Sequence, residues 1–168
     1  MTEQKRFNYL IISALVILVD QITKLLVRKY MLHQSIPVIG DFFRLTHVEN
    51  PGIAFGLGFE SNAFNRIFFS IITFFVIFVI LILLKKSNSH IEKIAFSLIL
   101  GGGLGNLIDR IAFGSITDFF DVYFFNIFGL ERWPIFNIAD SASVVAIFIL
   151  LIYVFFFEPR QSKKQHIV

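Results

Sequence analysis

The chain has 168 residues, of which 56% are hydrophobic and 16% charged, and 23 are Phe. A water-soluble domain is roughly 45–50% apolar and about 25% charged, so this composition excludes a soluble globular class; four membrane spans of about 20 residues would absorb roughly 80 apolar positions. The net charge of +3 is not gathered into a basic stripe, which excludes nucleic-acid binding, and the lack of Cys removes disulfides, thiol nucleophiles and cysteine-held metals.

In chain order, the first apolar run covers residues 7–27. Lys5 and Arg6 before it look like the start of a secretory signal, but no small-x-small cleavage site follows. The run continues through Asp20 and Lys24 to a full membrane length, so it reads as an uncleaved span. Residues 28–62 form a long connection with a strand-and-turn pattern at Thr46, Val48 and Asn50-Pro51-Gly52. The second span is 63–84, where residues 67–84 carry no charge over 18 positions, the threshold for a transmembrane helix. The third, 94–109, is shorter, glycine-rich and flanked by Glu92, Lys93, Asp109 and Arg110. A second connection, 110–134, is rich in Phe, Ile and Val and reads as an interfacial amphipathic segment. The fourth span, 135–157, is apolar apart from Asn137, Asp140 and small hydroxyls. The expected fold is an all-α membrane protein: one domain of four transmembrane helices, a small extracytoplasmic β-containing loop domain and an interfacial segment.

Lys and Arg near span ends mark the cytoplasmic side. Segments 1–6, 85–93 and 158–168 hold eight of them, while the two longer connections hold five. Both termini are therefore expected inside and both long connections outside.

An ionisable group at membrane depth costs about 2.5–3.5 kcal/mol on insertion scales and needs a reason to be there. Asp20, Thr23 and Lys24 share one helix face by their i, i+3, i+4 spacing; an Asp20/Lys24 pair with Lys24 snorkelling outward accounts for them as readily as a site does. Asn50 to Gly56 is composed like a turn, and a plain loop would explain it. Gly101 and Gly105 form a small-xxx-small pair that admits a second helix, which leaves Asn106 unexplained. Asn106 and Arg110 project together at i, i+4, with Asp109 between them, and either offer an amide and a guanidinium to a partner or reflect a surface-level Asp109/Arg110 arrangement. Asp118 and Asp121 lie among aromatics in the second connection, and spacing does not choose between them. Asn137, Asp140 and Ser141 fall at i, i+3, i+4 near the start of the last span, and Asp140 is the polar residue hardest to reconcile with a plain helix. All of these residues map to the outer side, so one site accounts for them more economically than several.

The inventory restricts the chemistry. There is no His-Glu-x-x-His run, and His33, His47, His90 and His166 lack metal-like spacing. No serine elbow is present, and Ser141 and Ser143 have no matched His on the outer side. A pair of carboxylates remains. Two close Asp groups share one proton, so the ionised partner can activate water while the other polarises a peptide carbonyl.

Taken together, the motifs Asp20-Gln21-Ile22-Thr23-Lys24, Asn50-Pro51-Gly52-Ile53-Ala54-Phe55-Gly56, Gly105-Asn106-Leu107-Ile108-Asp109-Arg110, Thr117-Asp118-Phe119 and Phe136-Asn137-Ile138-Ala139-Asp140-Ser141 resemble those of the bacterial lipoprotein signal peptidases, the type II signal peptidases. The resemblance covers nearly the whole chain. It implies a cytoplasmic-membrane aspartic endopeptidase, working without metal or cofactor as a monomer. Its substrates would be diacylglyceryl-modified prolipoproteins, cut before the lipidated cysteine. Position by position it implies Asp118 and Asp140 as the catalytic dyad, and Asn50, Asn106, Arg110 and Asn137 as substrate-binding residues. Asp20, Lys24, Gly52, Gly105 and Ala139 would be structural supports. The rival readings are a small proton- or ion-coupled transporter using Asp20 and Asp140, and a structural subunit assembled through Gly101 and Gly105.

Overall fold

The computed structural model describes residues 3–51, 59, 61–127 and 130–156; Gly52, named above as a support, lies outside them. The chain forms α1 (Glu3–Tyr30), β1 (Ser35–Ile39), β2 (Phe43–Asn50), α2 (Asn62–Lys86), α3 (His90–Ala112), β3 (Ile116–Ile127), β4 (Leu130–Arg132) and α4 (Ile138–Phe156). All four helices are long and apolar enough to cross a membrane. Their surfaces suit lipid rather than water: Ile71 is 64% and Phe155 70% exposed, while Asp20, Lys24 and Asn65 are 0% exposed. A chain solvated by hydrocarbon must satisfy its polar groups internally.

Local chemistry sets the helix ends. Ser61 caps α2 by accepting from the Phe64 amide at 3.3 Å, and Ser89 caps α3 by accepting from the Glu92 amide at 3.4 Å. Only Ser87, Asn88 and Ser89 separate α2 from α3, so the two are antiparallel neighbours. α3 is the hub, packing against α1, α2 and α4. Its glycines permit this. A Cβ on Gly101 would stand 2.7 Å from Val16 Cβ on α1, and one on Gly105 would stand 2.6 Å from Asp20 Oδ2. The small-residue face is thus occupied within the same chain, by α1. On the α2 side, Ile77 and Ile80 pack against Phe96 and Leu100.

The two long connections combine into one antiparallel sheet of order β1-β2-β3-β4. The second, read from sequence as an interfacial segment, supplies the 12-residue strand β3 and the short β4. A bulge between Leu45 and Val48 shifts the β2/β3 register, after which Val48 pairs with Asp118 and Asn50 with Ile116. Phe119 buries against Val27 and Met31 at the end of α1, fastening the sheet to the bundle.

Candidate active site

Three backbone hydrogen bonds bring the ends of β3 and α4 together. The amides of Phe119 and Phe120 donate to the Phe136 carbonyl at 3.0 and 2.8 Å, and the Phe136 amide donates to the Phe120 carbonyl at 3.1 Å. Asp118 and Asn137 each adjoin this clamp, so their positions are fixed by main chain. Asn137 then caps α4: its Oδ1 accepts from the Asp140 amide at 2.9 Å, and Asp140 Oδ2 accepts from the Asn137 amide at 3.2 Å. This is a reciprocal capping box with Asp in the third helical position. It places a carboxylate at the positive end of the helix dipole and aims it inward.

The same Asn137 joins the two acids. Its Nδ2 donates to Asp118 Oδ1 at 2.7 Å. Asn50, a same-face diagonal neighbour of Asp118 across β2 and β3, donates from Nδ2 to Asp118 Oδ2 at 3.0 Å. Asn106 donates from Nδ2 to Asp140 Oδ1 at 2.8 Å, and its own Oδ1 accepts from Lys24 Nζ at 2.8 Å. Three Asn amides therefore hold the two carboxyl groups against one cavity of about 530 Å³, whose walls include Asn50, Asp118, Trp133, Asp140, Val144 and Val145. Val144 and Val145 are each 51% exposed on the lipid side, so the cavity has a polar end and an apolar flank.

Asp118 stands outside the helices. Burial first, and the nearby charge of Asp140 second, push its pKa up from 3.8 to about 7, against the opposing hydrogen bonds from Asn50 and Asn137.

A second layer of charge supports these residues. Asp20 accepts from the Ala139 amide at 3.0 Å, satisfying an otherwise orphaned donor in the first turn of α4, and pairs with Lys24 at 2.9 Å. Lys24 lies 3.3 Å from Asp109, and Arg28 lies 2.6 Å from Asp109. Two acids thus meet two bases in a buried, charge-balanced cluster. Lys24 does not snorkel outward, and Asp109 is not a surface partner of Arg110, because Asp109 is 0% exposed and turned toward α1. Asp109 also accepts from the Thr117 amide at 3.0 Å, and Arg28 Nε donates to Thr117 Oγ1 at 2.7 Å. The residue beside Asp118 is held from both sides. Sequence reasoning missed Arg28, Asp109 and Thr117 as parts of this support; of the three, only Arg28 had a signal, the i, i+4, i+8 stripe it forms with Asp20 and Lys24.

Arg110 is the remaining residue singled out from sequence. It donates to Thr73 Oγ1 at 3.3 Å, while its buried Nε has no hydrogen-bond partner among the described residues. With Asn106 it lines a second cavity of about 310 Å³ between α2, α3 and α4.

Four apolar helices with a polar, two-carboxylate cavity at one end define a multi-pass membrane protein. The family described as signal peptidase (SPase) II matches residues 12–156, and the chain belongs to that family. The lipoprotein signal peptidase of Borreliella burgdorferi strain ZS7 is 39% identical over 162 residues, covering 94% of this chain and 95% of that protein. The lipoprotein signal peptidase of Syntrophotalea carbinolica is 43% identical over 147 residues, covering 85% and 88%. Among solved structures, a bacterial membrane enzyme determined by the in meso method at 1.9 Å superposes with a TM-score of 0.76 at 32% identity, covering 89% of this chain and 94% of that one. The protein is a signal peptidase, hence a protease, spanning the bacterial inner membrane several times. Nothing in these likenesses favours a transporter.

Proposed function

We propose that this protease removes the signal peptide from diacylglyceryl-modified prolipoproteins, cutting before the lipidated cysteine, and that Asp118 and Asp140 are its catalytic dyad. The observation that carries this is Asn137, whose side-chain amide binds Asp118 and whose backbone and side chain bind Asp140. One residue sets the mutual position of both acids.

The pair holds one proton between two carboxyl groups. The ionised member takes a proton from a water molecule as that water's oxygen attacks the scissile carbonyl carbon. The protonated member gives its proton to the carbonyl oxygen, leaving a neutral tetrahedral diol. When the C–N bond breaks, a proton passes to the leaving nitrogen and the pair returns to one proton. Asn50, Asn106 and Asn137 spend their amides on the acids, so their part is chiefly to hold the dyad against substrate. Arg110, with a spare donor beside the second cavity, supplies a hydrogen bond to the substrate backbone. The apolar flank of the larger cavity suits a substrate that arrives in the membrane with acyl chains. The dyad faces outward, with both termini cytoplasmic, and the enzyme works as a monomer.

The test is cleavage of a diacylated precursor peptide beside its unlipidated twin. Asp118→Asn and Asp140→Asn are each expected to reduce cleavage by at least about a thousandfold while the purified proteins melt within a few degrees of wild type. Near-normal turnover by either variant refutes the dyad, and equal turnover of both peptides refutes the lipid requirement.

A further inference from the structure

At the end of the bundle remote from Asp118 and Asp140, α1, α2 and α3 enclose a groove of about 200 Å³ lined by Tyr9, Leu10, Leu81, Leu84, Lys85 and Lys93. Lys85 lies in the last turn of α2 and Lys93 in the first turn of α3. The Lys93 side chain is buried, with Nζ 5.7 Å from the centroid of the Tyr9 ring, and the Tyr9 hydroxyl is hydrogen-bonded to His90 Nδ1. Leu10 and Leu81 are both 43% exposed on the lipid-facing surface. Lys86 follows Lys85 in the same last turn of α2. Glu92 is turned away into the α2–α3 connection, where its Oε2 accepts from Ser87 Oγ at 2.6 Å.

We propose that this groove binds an anionic phospholipid, with its phosphate between Lys85 and Lys93 and one acyl chain along Leu10, Leu81 and Leu84. The exposed ammonium of Lys85 at the mouth of an apolar trough, with the buried Lys93 in its wall, matches an amphiphile with a negative head and a hydrocarbon tail. A zwitterionic headgroup fits less well, because its own ammonium opposes the second lysine. Basic pockets between transmembrane helices take anionic headgroups, and each lysine near the surface contributes about fivefold in affinity. Such a lipid would tie three helices together at the end of the bundle that the polar cluster does not reach.

Native mass spectrometry of the whole chain, in mixed micelles holding equal amounts of phosphatidylglycerol and phosphatidylcholine, tests this. Wild type is expected to retain phosphatidylglycerol preferentially. Lys85→Gln, at an exposed position, is expected to lower that preference about fivefold, and Lys85→Gln combined with Lys93→Gln to abolish it. Equal retention of the two lipids by wild type, an unchanged preference in Lys85→Gln, or displacement of the bound lipid by millimolar inorganic phosphate would each overturn the proposal. Because Lys85→Gln leaves the buried Lys93 in place, the outcome does not depend on how the double variant folds.

Discussion

Asp118 and Asp121 stand three residues apart on β3, and the two-residue pleat sends their side chains to opposite faces. Asp118 meets Asn50 and Asn137, whereas Asp121 pairs with Arg132 at 2.8 Å and accepts from Thr46 Oγ1 at 2.8 Å. Asp121→Asn is therefore expected to keep cleavage within about threefold of wild type and to cost about 1 kcal/mol of stability, checked by peptide turnover and thermal unfolding in detergent. Loss of turnover as large as that of Asp118→Asn would mean that the wrong acid has been placed in the dyad. The raised pKa of Asp118 has a definite sign. A carboxyl whose ordinary value is 3.8 and whose folded value is about 7 stabilises the folded state fully below about pH 4, and that contribution is lost as pH rises through about 7. Asp118→Asn cannot ionise, so its melting temperature relative to wild type is expected to rise between about pH 4 and about pH 7 and to level off above, and a flat difference would contradict the burial of this group. Cleavage by wild type is expected to fall on the alkaline side through about 7, with the apparent value belonging to the pair. At this scale the sequence revealed which residue types were out of place in lipid, including Asp20, Lys24, Asn106 and Asp140. It could not reveal who meets whom: Asp109 and Arg28 are 81 positions apart in the chain, and nothing local marks their pairing.

Among the elements, α3 owes its central place to side chains it lacks. A Cβ on Gly102 would overlap the Ala139 carbonyl oxygen and stand 2.5 Å from Ser143 Oγ, both on α4, while one on Gly103 would stand 3.3 Å from Ile77 Cγ1. The first obstacle is backbone and the second is the side chain of a flexible isoleucine. Replacing a helical Gly by Ala gains up to about 1 kcal/mol in propensity, whereas overpacking costs about 1–3 kcal/mol. Gly103→Ala is thus expected to be near neutral. Gly102→Ala is expected to lower the melting temperature and reduce turnover, because any shift of α4 carries Asn137 and Asp140 with it. Equal effects at the two positions in parallel unfolding and cleavage measurements would show that α3/α4 packing does not position the acids. The apolar helices were legible from hydropathy because lipid demands a long charge-poor run. The strand β3 was not legible as such: Phe119 and Asp121 on one face and Asp118 on the other are all buried. A strand covered on both sides loses the alternation that identifies strands and reads like an amphipathic segment.

For the molecule as a whole, sidedness decides whether the site can meet its substrate. The buried cluster of Asp20, Lys24, Arg28 and Asp109 balances its charges internally, so it carries no net charge and gives no preference for either leaflet. Orientation then rests on the lysines and arginines outside the spans, which the sequence displays directly: Lys85, Lys86 and Lys93 crowd the α2–α3 connection, whereas the sheet presents Arg44 and Arg132 already paired with Asp41 and Asp121. Because the chain contains no Cys, single cysteines can report sidedness without background. Asp41 ends in the turn between β1 and β2 with its side chain 90% exposed, and Asn88 lies exposed between α2 and α3. Asp41→Cys is expected to react with a membrane-impermeant maleimide on intact spheroplasts, and Asn88→Cys only after the membrane is opened. The reverse pattern would put the dyad on the cytoplasmic side, and the outward-facing site proposed above would fail even if both aspartates proved essential.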